Sequence, residues 1–245
     1  MVCANLKNVQ TNEHPFAPYH IVSYGDVDVA YIGFTTTTSG TVTGLADENG
    51  TPLYSFMREE FYELAQRRID EARSKGADFV VALSHLGDTA NGNEHPSSVE
   101  LIGRTVGLDA VIDGHDHHVI ECRMVANRDS KDVLLTAPGT NFNYIGKLVI
   151  ATDGTISSSL ADVSSLEADE TMKQFVDNIK DEIGNAGDFI IGRSDVDLTI
   201  YDAEGNRIVR THETNLGDFC TDALRMFTGA DIAMVVGGGI RADIM

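Results

Sequence analysis

The sequence predicts an α/β fold, with a largely parallel sheet covered by helices. Two observations lead there. Apolar runs alternate with amphipathic helical stretches in a β-α-β-α-β order from Val27 to Ile112, and that alternation needs crossover connections between parallel strands. Two of the runs also end in the same way, in histidine beside glycine: Asp78-Phe-Val-Val-Ala-Leu-Ser-His-Leu-Gly87 and Ala110-Val-Ile-Asp-Gly-His-Asp-His-His118. In open α/β sheets ligands sit just beyond the carboxyl ends of strands, so both runs are aimed at one place.

Each element has its own signal. Residues 1–50 are β-rich. Tyr19 to Tyr24, Gly25-Asp26 and Val27 to Phe34 read as a hairpin leading into a buried strand. Thr35 to Thr38 is a polar loop at that strand's end, and His14 and His20 lie away from the strand ends. Residues 54–75 are expected to form a helix, with Met57, Phe61, Leu64, Ala65, Ile69 and Ala72 at helical spacing and Gly76 as its stop. After the His85 strand comes a polar loop, Asp88 to Pro96. Ser97-Ser-Val-Glu100 then carries a capping-box signature for a second helix that ends near Gly107.

Residues 119–152 read as strands again: Val133 to Ala137, a Pro138-Gly139 turn, then Tyr144 to Ala151, with a tight turn at Asp153-Gly154. The polar stretch Ser157 to Ser165 looks like a domain edge. Asp169 to Ile183 is a helix with Met172, Phe175, Val176, Ile179 and Ile183 on one face, placed as a linker. A second unit starts near Gly187. In it, Thr214 to Phe227 is helical, Gly229 ends that helix, and Leu216, Phe219, Cys220, Ala223, Leu224 and Phe227 form its expected buried face. Asp231 to Val236 reads as a buried strand running into Gly237-Gly-Gly239 and Arg241. A strand, three glycines and an arginine suit close approach to a phosphate, although such glycine turns also arise from packing alone. About 59 residues are too few for a comfortable independent domain.

Composition narrows the function. The 245-residue chain is 42% hydrophobic, which supports a packed core. Its 38 acidic against 18 basic residues give a net charge of -20, which argues against a partner such as duplex nucleic acid. An anionic substrate would need this field overcome locally, and bound metal cations can do that. Cys3, Cys122 and Cys220 are odd in number and widely spaced, so neither a disulfide framework nor a zinc knuckle follows. Cys220 is expected to be a buried thiol. No apolar run is long enough to cross a bilayer, and no signal peptide is evident.

Two strands ending in histidine point to a shared site with neutral imidazoles as metal ligands. The blander alternative makes each histidine a surface-loop or hydrogen-bonded core residue. His115 and His117 are two apart and would face opposite ways in extended chain. Both can reach one site only if Gly114 starts a loop.

Four stretches, Ser84-His-Leu-Gly, Gly114-His-Asp-His, Glu213-Thr-Asn-Leu-Gly-Asp and Gly237-Gly-Gly-Ile-Arg, stand in this order. Together they resemble the 5'-nucleotidase family, which includes UDP-sugar hydrolases and 2',3'-cyclic-nucleotide phosphodiesterases. The resemblance implies a calcineurin-like metallophosphoesterase α/β sandwich over residues 1–165, without its first strands. A linker helix over 166–186 and the start of an α/β nucleotide-binding C-terminal domain over 187–245 would follow. It implies two divalent ions, zinc, manganese or similar. His85 and His115 would bind one and His117 the other, while His118 lies outside the motif. Arg210 and Arg241, with Gly238 and Gly239, would hold the anionic part of a nucleotide or related phosphate ester. Glu213 and Asn215 would shape that pocket or simply cap the helix. Attack on phosphorus by a metal-bound water is the implied chemistry, and an extracellular, periplasmic or cell-surface location goes with the family.

The chain departs from the family pattern. The opening motifs D-x-H, G-D and G-N-H-[DE], which supply the bridging carboxylate and the transition-state histidine, are not found. Asn91-Gly-Asn-Glu-His95 is only a scrambled look-alike. Val236 stands where the family usually has an asparagine that contacts the base. The expectation is therefore an internal fragment of a longer phosphohydrolase, itself inactive. A non-catalytic protein that keeps the fold and binds nucleotide or metal is the alternative.

Overall fold

A computed structural model describes residues 1–37, 47, 49, 51–89, 95–187 and 192–244. Thr38, the look-alike positions 91–94 and most of the Asp88–Pro96 loop lie outside the described residues. The chain divides into two compact units, Met1–Glu167 and Ala168–Met245.

The first unit is built on a six-stranded sheet. Its strands are β2 (Tyr19–Tyr24), β3 (Val27–Thr35), β5 (Phe79–His85), β6 (Ala110–Ile112), β7 (Val119–Ala126) and β8 (Asp132–Pro138). Two short strands, β1 (Lys7–Asn8) and β4 (Tyr54–Ser55), pair separately. The spatial order is β2-β3-β5-β6-β8-β7. β3, β5, β6 and β8 run parallel, while the edge strands β2 and β7 are antiparallel to their neighbours. The four parallel strands therefore deliver their carboxyl ends to one rim, as the β-α-β-α-β order predicts.

Alternation along the strands buries both faces. Ala30, Ile32, Val80, Ala82, Val111, Val133 and Leu135 face one core, with α1 (Phe61–Ser74) and α2 (Ser98–Arg104) over it. Phe61, Ala65, Ile69 and Ala72 of α1 and Leu101 and Ile102 of α2 are fully buried there. Val29, Val81, Ala110 and Leu134 point the other way, against Leu148, Ile150 and Ile156 of a hairpin, β9 (Tyr144–Ile150) with β10 (Ile156–Asp162). Covering both faces with apolar side chains is what lets the parallel strands read as near-continuous hydrophobic runs.

α1 starts later than its periodicity predicts. Residues 54–55 are strand, and Met57 has φ +50, outside the helix. The helix stops as expected at Gly76, φ +96. The α2 capping box is complete: Ser97 Oγ accepts from the Glu100 N–H, and the Glu100 carboxylate accepts from the Ser97 N–H. The polar stretch from Ser157 is a strand, paired residue for residue with β9, because Ile156, Ser158 and Leu160 can alternate against the sheet.

The second unit holds α3 (Glu170–Gly187) and α4 (Asn215–Thr228). Thr214 caps α4 through the Gly217 N–H, and Gly229 closes it at φ +68. Its small core is Ile200, Leu216 and Ile240, flanked by Leu198, Val209, Cys220 and Val235. Two expectations are corrected here. Of the predicted α4 face only Leu216 is buried and Cys220 is half-buried, whereas Phe219, Ala223, Leu224 and Phe227 are exposed. Residues 231–236 form no strand, and Ile232, Met234 and Val236 are exposed. A strand needs a hydrogen-bonded neighbour. Among the described residues of this unit, the only ladder contacts are isolated bridges at Leu198–Ile244 and Tyr201–Arg207.

Candidate functional site

Three structural choices bring the histidines to the rim. His85 is the last residue of β5, and the parallel register sets it beside Thr35 at the end of β3. Asn5, fully buried, clamps that strand end: its amide donates to the Thr35 and Phe56 carbonyls and accepts from the Thr35 N–H. Beyond β6 the chain turns at Asp113-Gly114. His115 and His117 both adopt left-handed backbone, φ +91 and φ +61. Non-glycine residues are rarely held there, and such strain is concentrated at functional sites. The loop anticipated at Gly114 is thus made by the histidines themselves.

The rings of His85 and His115 meet edge to face, with centroids 5.3 Å apart. A side chain at position 114 would crowd His85 Nδ1, with its Cβ 3.1 Å away. Partial desolvation pushes the His85 imidazole below its ordinary pKa. The nearby charge of His115 acts in the same direction, Asp113 opposes it, and His117 adds to the lowering. A neutral imidazole with a free lone pair is the form that ligates a metal. His115 and His117 therefore both lie within electrostatic reach of His85.

Carboxylates bind the two histidine loops together. Buried Asp113 accepts from the Leu86 and Gly87 N–H groups. Asp116 accepts from the Thr89 N–H. Burial pushes the Asp116 carboxyl up, but the Thr89 N–H and hydroxyl and the nearby His115 and His118 bring it net below its ordinary range. Asp88 reaches the other way, to His118 Nδ1 at 2.6 Å and Arg123 Nη1 at 3.2 Å. Among the described residues, Asp88, Asp116 and His118 are the one set of three such donors within 4.8 Å of one another. His118, which the motif leaves without a role, is thus joined to the site. The signal for these acids lay in the sequence, since each stands within three residues of a strand-end histidine.

In the second unit, Val209, Glu213, Thr214, Gly217, Asp218 and Gly237 line a recess of about 160 Å³. A Cβ at Gly237 would strike the Val209 carbonyl at 2.1 Å, so that glycine has a packing reason. Gly238 leaves room for the Arg210 guanidinium, 3.0 Å from where its Cβ would be, and Gly239 faces open space. Arg210 and Arg241 are exposed. Asn215 is not the cap. Its side-chain amide accepts from the Thr199 N–H and donates to the Asp197 carbonyl.

Comparison with known proteins fits this geometry. The family model of the 5'-nucleotidase C-terminal domain matches residues 190–245. This stretch is similar to that domain. The rest of the chain has the fold that goes with it. The crystal structure of calcineurin-like phosphoesterase YfkN from Bacillus subtilis superposes with a TM-score of 0.55 at 23% identity, over 76% of this chain and 63% of that one. In sequence, the trifunctional nucleotide phosphoesterase protein YfkN of Bacillus subtilis is 29% identical over 93% of this chain. A 5'-nucleotidase of Vibrio cholerae is 26% identical over all of it. The chain spans 15% of the first of these relatives and 50% of the second. The resemblance to the 5'-nucleotidase family and the α/β metallophosphoesterase fold read from the sequence are borne out. Among the described residues, no helix is long and apolar enough to cross a membrane.

Proposed function

We propose that this chain is the central part of a metal-dependent phosphohydrolase that releases phosphate from nucleotides. The observation that carries the reading is the convergence of His85 and His115, ring to ring, at the carboxyl rim of a parallel sheet with strained backbone at His115 and His117. His85, His115 and His117 would hold divalent ions, zinc, manganese or similar. Bound there, such ions supply an activated water and neutralise phosphoryl oxygens. The chain's own residues fix the donors: Asp113 pins the loop that follows His85, and Gly114 lets His85 and the second loop approach. In the second unit, residues 187–245 form the start of a substrate-binding domain in this reading. There Arg210, packed on Gly238, and Arg241 take the phosphate of the nucleotide, with residues 166–186 as linker. A longer polypeptide around these residues and a location outside the cytoplasm complete the proposal. Both rest on the family resemblance and on the greater length of the relatives.

The test is zinc or manganese titration of the chain by calorimetry, beside a His85→Ala/His115→Ala variant. With the three histidines as donors, the expected result is one weakly bound ion, lost in the double variant. Unchanged affinity in that variant would remove the site assignment. A chain that binds nucleotide but no metal would instead be the non-catalytic binder.

A further inference from the structure

The two histidine loops are tied together by a lattice of carboxylates, and one strand of that lattice is not explained by backbone turns. Asp113 and Asp116 both run from the β6 loop to main-chain N–H groups of the β5 loop. Asp88 runs in the opposite direction and ends on side chains. Its carboxylate is largely shielded, 14% exposed, while its partners His118 and Arg123 are about half exposed. Each of its oxygens has its own partner: Oδ1 takes His118 Nδ1 and Oδ2 takes Arg123 Nη1. A carboxylate divided between an imidazole and a guanidinium makes two charge-assisted bonds, each stronger than a neutral one.

The placement of Arg123 is built into the sheet. β7 bulges between Ile120 and Arg123. Ile120 and Val125 both pack against the helix-covered core. In a regular strand these two, five apart, would face opposite sides; the extra residue puts both on one side, and Arg123, two before Val125, with them. Gly87, immediately before Asp88, holds φ +83, and a Cβ there would lie 2.6 Å from both Asp116 carboxylate oxygens. Bulge and glycine together bring Asp88, His118 and Arg123 within bonding distance.

We propose that Asp88 is a positioning residue for the metal ligands. It locks the loop that carries His85 to the loop that carries His115 and His117, with His118 and Arg123 as its anchors. His118 adjoins His117 in the chain, so its bond to Asp88 limits the freedom of the His117 backbone directly. Outer groups that orient metal-bound imidazoles typically change metal affinity tenfold or more when removed. The occupied oxygens and the Arg123 cation make Asp88 a latch rather than a ligand. The inference rests on the metal-binding reading of His85, His115 and His117.

The experiment is calorimetric titration of the whole chain with Zn²⁺ alone, with metal-free thermal unfolding measured on each variant. Asp88→Asn is expected to weaken Zn²⁺ about tenfold at temperatures well below its metal-free melting temperature, which reads the stability cost of the two lost bonds separately. His118→Gln, at a side chain about half exposed, should give a similar loss. The double variant should lose little more, because the two residues act as one unit. Asp88→Glu, which keeps the charge on a longer stem, should restore part of the affinity. Full affinity in both Asp88→Asn and His118→Gln, beside a His85→Ala/His115→Ala chain that no longer binds, would overturn the latch and leave the metal reading standing. Binding abolished by Asp88→Asn but kept in the double histidine variant would overturn it differently, by making Asp88 a ligand. No binding by the unaltered chain would end both.

Discussion

Replacing Gly87 by alanine separates two contributions to the site. At φ +83 an alanine costs roughly 1 kcal/mol or somewhat more, because its Cβ crowds the carbonyl in left-handed backbone. Gly87 carries a second penalty. Its Cβ would fall 2.6 Å from both oxygens of Asp116, and the carboxylate must move off the Thr89 N–H it now holds at 2.9 Å. A hydrogen bond to a charged group contributes about 1.5–3 kcal/mol. The sum is about 2.5–4 kcal/mol. Gly76 is the control. It has nearly the same backbone, φ +96, and nothing within 4 Å of its Cβ, so Gly76→Ala should show the backbone cost alone. Six of the seven tyrosines lie in the first unit, Tyr201 being the exception, so near-ultraviolet circular dichroism in urea reports that unit. Gly87→Ala should lower the unfolding midpoint clearly further than Gly76→Ala, with the same slope. Equal destabilisation by the two would refute the contact between Gly87 and Asp116 as a structural constraint.

Ser97→Ala removes the α2 capping box and should cost about 1 kcal/mol, read by the same urea transition; no change would mean α2 is held by packing alone. The Asp202 carboxyl is held below its ordinary value, first by the Asn206 N–H and then by the Asn206 side chain, with the Glu204 and Gly205 amides helping. Its contribution to the turn is therefore present above the unfolded carboxylate pKa and is lost as pH falls through the lowered folded value. Titration of its carboxyl carbon by NMR should give a midpoint below about 3.9, and a midpoint above that contradicts the turn geometry. Under the proposed nucleotide-hydrolase reading, Val236 at the base position could make no side-chain hydrogen bond to a base, a loss of about 1 kcal/mol of discrimination; similar kcat/KM across purine and pyrimidine nucleotides is then expected, and strong preference for one base would count against it.

Much was legible along the chain because local patterns sufficed. The spacing Phe61, Leu64, Ala65, Ile69, Ala72 fixes a helix face whatever it packs on, and every one of these residues is buried. The box at Ser97 and the stop at Gly229 are local chemistry and appear as expected. The β-α-β-α-β order leaves few topologies, so the parallel sheet followed. Where the reading failed, burial depended on a partner. Phe219, Leu224 and Phe227 have helical spacing but stay exposed outside the small core of their unit, and Ile232 to Val236 has strand composition but pairs with no strand among the described residues.

By itself the sequence determined which histidines stand at the ends of two buried strands, and so which rim of the sheet they share. Only the tertiary structure decided how they meet. The parallel register sets His85 beside Thr35, and left-handed backbone at His115 and His117 turns the second loop toward it. Asp88, Asp113 and Asp116 tie the two loops together across sequence separations of 26 to 35 residues. No local pattern encodes those bonds, because a carboxylate on one loop finds its donors on the other only after the sheet has closed the distance between them.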